Sequence, residues 1–86
     1  MIDEILKYYP EEEFLMADGF SEAIIGVEEN EMRLIYSVSK CLKILMFPPN
    51  DSEGMSEEEA NEFFTFNVSG AYVGEKTPIW CWDNFD

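Results

Sequence analysis

The chain has 86 residues, with nineteen Asp and Glu against five Lys and Arg, no His, and a formal net charge of −14. Such a surplus repels nucleic acid and anionic membranes and attracts basic protein surfaces. The length predicts one domain over 1–86 with a small core, and 47% hydrophobic with 15% aromatic residues excludes a disordered acidic tail.

Ile2, Ile5, Leu6 and Tyr9 fall on a helical stripe, with Asp3 placed at the positive end of the helix dipole. Pro10 predicts a break at Tyr9 and then a second short helix, because proline suits a first helical position. Glu11, Glu12 and Glu13 would crowd its first turn, Phe14 to Met16 would supply its apolar face, and Gly19 would take a left-handed cap. Ala23–Val27 and Arg33–Ser37 read as two strands joined by the polar link 28–31, which predicts a β-hairpin. Gly26 marks a bulge or a close contact in the first strand.

Val38, Cys41, Leu42 and Leu45 recur at helical spacing, with Ser37 or Ser39 as the cap. Residues 48–54 read as a loop. Ser56-Glu57-Glu58-Glu59 is a capping box, with Met55 and Ala60 placed as a hydrophobic staple. Ala60, Phe63, Phe64 and Val68 form the predicted buried stripe. The helix is expected to run to about Tyr72 with Gly74 as its cap; the alternative is a stop at Gly70. Ile79-Trp80-Cys81-Trp82 alternates and reads as a third strand. The expected fold is α+β: a β-hairpin, extended to a three-stranded antiparallel sheet if 79–82 joins it, packed with two main helices and an N-terminal helical segment.

The residues exclude most chemistries. Without histidine, the commonest general base and the usual catalytic zinc ligation are missing. Walker, Rossmann and EF-hand patterns are absent, so no cofactor is expected. Carboxylate pairs can hydrolyse glycosides, but so short a chain rarely builds the cleft this needs. Cys41 and Cys81 form no C-x-x-C pair, which predicts two reduced thiols and no metal site. Asn67-Val68-Ser69 matches a glycosylation sequon, read here as coincidence because the start of the chain lacks a secretory pattern. No apolar run approaches the ~20 residues that cross a bilayer. The expectation is a non-enzymatic cytoplasmic protein with no membrane and no direct nucleic-acid partner.

Two features invite a functional reading. Glu58, Glu59 and Glu62 are spaced to crowd one side of a helix; a solvated face with dipole-favoured acids at the N-terminus is the plain explanation. Glu58 and Glu62, however, form an i, i+4 like-charge pair that costs a few tenths of a kcal/mol. Trp80 and Trp82 share one face of an alternating strand. They serve either as core packing or as an aromatic anchor in an interface, rimmed by Asp83 and Asp86.

The segments 17–27 (Ala17-Asp18-Gly19-Phe20 onward), 36–41 and 66–80 (Phe66-Asn67-Val68-Ser69-Gly70 through Trp80) resemble a group of small proteins encoded by bacteriophages. The resemblance covers most of the chain and includes no catalytic motif. It implies a phage protein in an infected bacterial cytoplasm. Small acidic phage proteins include inhibitors of host defence and transcription, some of them nucleic-acid mimics. The leading expectation is therefore an inhibitor that binds a basic host protein through Glu11, Glu12, Glu13, Glu57, Glu58, Glu59 and Glu62, with Trp80 and Trp82 as aromatic contacts. The second expectation is a structural or accessory phage protein, a small homo-oligomer packed through Trp80 and Trp82, whose acidity serves solubility.

Overall fold

The hairpin forms where β-branched and aromatic residues alternate around a polar link. In the computed structural model, which describes residues 1–48, 53–71 and 74–85, β1 is Ile24–Glu28 and β2 is Arg33–Ser37, paired antiparallel. The register slips between Ile24 and Gly26, leaving Ile25 as the extra residue of a bulge. Gly26 therefore marks a bulge and not a close contact: a Cβ there would meet nothing within 4 Å. The link is closed from within, because the Glu28 carboxylate accepts the N–H groups of Asn30 (2.9 Å) and Glu31 (2.7 Å).

The third strand, β3 (Ile79–Cys81), lies beside β2, giving the order β1-β2-β3. It runs parallel to β2, with Tyr36 opposite Trp80. The antiparallel expectation for this strand is thus corrected, and the sheet is mixed. The reason lies in the connection. Parallel neighbours need a long crossover, usually helical, and two helices intervene between Ser37 and Ile79. The first, α2 (Val38–Met46), is capped by Ser37, whose hydroxyl accepts the Lys40 N–H. The second, α3 (Glu57–Phe63), begins with the complete capping box of Ser56 and Glu59. The N-terminal helix α1 is Ile2–Tyr8.

The second short helix expected from Pro10 does not form. The chain turns at Tyr9, whose carbonyl accepts the Glu12 N–H, and then runs without regular structure to Ala17. Phe14, Leu15 and Met16 are contiguous, so one helical stripe cannot bury all three. Tertiary contacts decide instead. Tyr9 meets Phe14 edge-on at 6.3 Å, and the Ala17 N–H donates to the Tyr36 hydroxyl at 2.8 Å. Gly19 does adopt the left-handed conformation, at φ +88, but in a turn.

The last helix also departs from expectation. After Phe63 it widens into a π-helical segment, Phe64–Ser69, and stops at Gly70 rather than near Gly74. Tyr72, the expected end, lies outside the described residues, as do positions 49–52 of the predicted loop. The buried row is Ala60, Phe64 and Val68, four residues apart. Phe64 and Val68 pack on the core, while Phe63 turns outward and is not part of it. The core is one cluster that includes Ile5, Phe20, Ala23, Ile24, Leu34, Tyr36, Val38, Cys41 and Phe64. Burial pushes the Cys41 thiol up to about 12, so it is an inert core residue. Among the described residues no helix is long and apolar enough to cross a membrane.

Gly54 is where the chain returns toward α2. A Cβ there would overlap the Met46 carbonyl, and the next residue, Met55, donates its N–H to Leu45. Gly54→Ala is expected to cost about 1–3 kcal/mol through overpacking against backbone. Gly26→Ala, with open space around it, is expected to change stability by no more than about 1 kcal/mol. Urea denaturation of both variants checks this; equal effects would contradict the close approach at Gly54.

Candidate protein-binding surface

The acidic residues divide into those used by the fold and those left to solvent. Glu28 and Glu59 are used: backbone N–H groups hold both carboxyls below the usual range, those of Glu31 and Asn30 for Glu28 and that of Ser56, helped by its hydroxyl, for Glu59. Glu12 is used as well. Its carboxylate pairs with Lys76 at 3.3 Å. Lys76 also donates to the carbonyls of Glu31 (2.8 Å) and Met32 (3.3 Å), tying the N-terminal turn to the hairpin link.

Asp83 joins the chain after β3 to the start of α2. It accepts hydrogen bonds from the hydroxyls of Ser37 (2.7 Å) and Ser39 (3.0 Å). The Ser37 bond contributes most to lowering its pKa, with Ser39 and the Lys40 charge adding less. A carboxylate beside a helix N-terminus also complements the helix dipole. The rim assigned to Asp83 is therefore a structural latch, and Asp86 lies outside the described residues.

What remains is free acid. Glu11, Glu13, Glu57, Glu58 and Glu62 are all exposed. Among the described residues two ion pairs form, Lys76 with Glu12 and the N-terminal amine with Glu4. No group of three or more His, Cys, Asp or Glu among them is arranged to hold a metal ion. The expected acidic face thus has two parts. Glu11–Glu13 flank the Lys76 junction, while Glu57–Glu59 and Glu62 stand on α3, which packs against α2.

The two tryptophans separate. Trp80 is half-buried and packs against the core: its ring lies 5.1 Å from Tyr36 and 5.3 Å, edge-on, from Phe64. Its indole N–H is buried without a partner among the described residues, a cost of about 1–3 kcal/mol carried by the packing. Trp82 lies beyond β3 and is 52% exposed.

Two features escaped the sequence reading. Phe66 is 75% exposed and Phe63 38%, three residues apart on the ribbon that carries Glu62. Phe66 lies off the stripe set by Ala60, Phe64 and Val68, a signal the sequence offered. The second feature is a cleft of about 280 Å³, formed by residues from the 15–20 segment, the end of the π-helical segment with Ala71, and Pro78 with Trp80. Its lining is mostly apolar, and only the folded chain brings those three segments together.

No protein-family model, no curated protein and no solved structure matches this chain.

The Asp83 latch has a pH signature. A carboxyl with a lowered folded-state pKa lends stability that is full above its unfolded pKa and is lost as pH falls through the folded value. Asp83→Asn is therefore expected to lower the urea midpoint at about pH 7, and its deficit to the parent should shrink as pH falls below the ordinary aspartate pKa of about 3.9. A deficit that stays constant as pH falls would contradict the latch.

Proposed function

We propose that this chain is a non-enzymatic phage protein that binds and inhibits a basic host protein in the infected cytoplasm, using the acidic and aromatic ribbon of α3. The observation that carries the reading is that Glu58, Glu62, Phe63 and Phe66 stand exposed on one continuous helical ribbon. Carboxylates steer encounter with Lys and Arg, and exposed aromatics give the contact its lifetime. The like-charge pair of Glu58 and Glu62 fits this role, since the fold gains nothing from it. The assignment to phage and host rests on the resemblance of segments 17–27, 36–41 and 66–80. Mimicry of nucleic acid is the narrower form of the reading, in which free carboxylates occupy a groove built for phosphates.

A second reading, a small homo-oligomer, is favoured by Trp82 and Phe85, both exposed beyond the end of β3. Trp80, half-buried against Tyr36 and Phe64, offers less surface to that contact than Trp82. Light scattering distinguishes the two: the leading reading expects a monomer.

Glu62→Lys separates function from stability. It turns the repulsive i, i+4 pair with Glu58 into an attractive one, with the acid on the N-terminal side of the base. That orientation is the favourable one and is expected to stabilise the helix by about 0.3–0.5 kcal/mol. The same change should reduce capture of basic proteins from host lysate, and the parent's capture should fall when salt rises from about 0.05 to about 0.5 M. Capture that ignores both salt and the substitution would contradict the acidic-ribbon reading.

A further inference from the structure

The apolar cleft beside the π-helical segment has a size, a lining and a charge environment that fit one kind of occupant. At about 280 Å³ it lies just below the range of ~300–1,000 Å³ usual for small-molecule sites. That volume suits one or two side chains. Leu15 and Met16 contribute to it while remaining 37% and 50% exposed, so apolar surface at the cleft is still open to water. Covering such surface is favourable in proportion to its area.

Charge narrows the choice. Asp18 contributes to the lining, and none of the five basic residues does. Leu15 also borders a neighbouring hollow with Glu13, Glu75 and Lys76, and Lys76 is already paired with Glu12. Lys40 and Lys43 border a different hollow, with Glu22. Arg33 is committed through Nε to the Thr77 carbonyl. An acidic or anionic ligand would meet repulsion here. A second copy of the chain, itself at −14, would add to it.

We propose that this cleft is an anchor pocket for a single apolar side chain carried on a Lys- and Arg-rich segment of a protein partner. The proposal rests on the acidic-binding reading above and adds a defined site to it. The flanking cations of the segment lie toward Asp18, Glu13 and Glu75, and the apolar side chain enters between Met16 and Ala71. Tyr36 positions the pocket from behind, because its hydroxyl holds Ala17 and its ring stacks on Trp80.

The probes are two synthetic peptides, a lysine octamer and the same octamer with one central lysine replaced by leucine, titrated into the ¹⁵N-labelled full chain. The leucine peptide is expected to bind about tenfold more tightly despite its lower charge, as burial of one aliphatic side chain warrants. It should shift the amides of Met16, Asp18, Val68 and Ala71. In Ala71→Leu, at an exposed position where the larger side chain fills the cleft, the preference should vanish while the lysine octamer still binds. Equal affinities, unmoved cleft amides, or a preference that survives Ala71→Leu would each overturn the anchor pocket and leave the acidic-binding reading standing. Failure of both peptides to bind at low salt would overturn both.

Discussion

The structure depends on one side chain that works in two directions. Tyr36 sits fully buried at the centre of β2. Its ring packs against Trp80, its direct partner across the parallel pairing of β2 and β3, and Trp80 in turn receives the edge of Phe64. Its hydroxyl oxygen accepts the Ala17 N–H. One residue therefore joins the sheet, the last helix and the irregular segment 9–17. Burial raises the pKa of this phenol, so it remains neutral and fit for a buried position. In a small domain, where the core is limited, one aromatic junction of this kind carries a large share of the packing.

The same junction explains the surface. Segment 15–20 is held against the sheet by Tyr36 and does not coil into a helix, which leaves Leu15 and Met16 partly exposed and opens the cleft. Phe64, at the start of the π-helical segment, meets Trp80, while Phe63 at the end of α3 and Phe66 within the segment are exposed. A widened turn inserts a residue into the helical repeat, and such segments are frequent at functional sites. The acidic ribbon and the apolar cleft thus arise from one packing solution, and both flank the helix that delivers Phe64.

Much of this was legible in the sequence, for reasons that are local. The capping box at Ser56 and the hairpin depend on residues close together in the chain and formed as their spacing predicts, while of the two readings left open at each of two positions the fold takes Ser37 over Ser39 as the cap and a bulge over a close contact at Gly26. The errors were non-local. Alternation in 79–82 announces a strand but carries no direction; only the crossover through α2 and α3 makes it parallel. Pro10 and three glutamates satisfy the rules for a helix start, yet Tyr36, far along the chain, claims Ala17. Among the candidate binding residues, local spacing shows the like-charge pair of Glu58 and Glu62 but could not reveal that Glu12 pairs with Lys76. It also could not tell Trp80, packed against the core, from Trp82 in solvent, because period-2 alternation treats the two alike. The cleft was invisible, since its three contributing segments meet only after folding.

Amide hydrogen exchange at Ala17 tests the account at its centre. If Tyr36 holds this segment to the sheet, the Ala17 amide should exchange with the slow amides of β2 and lose that protection in Tyr36→Phe, while the β2 amides of the variant remain protected. An Ala17 amide that exchanges as fast as that of exposed Glu13 in the parent protein would contradict the account, and with it the structural basis of the cleft.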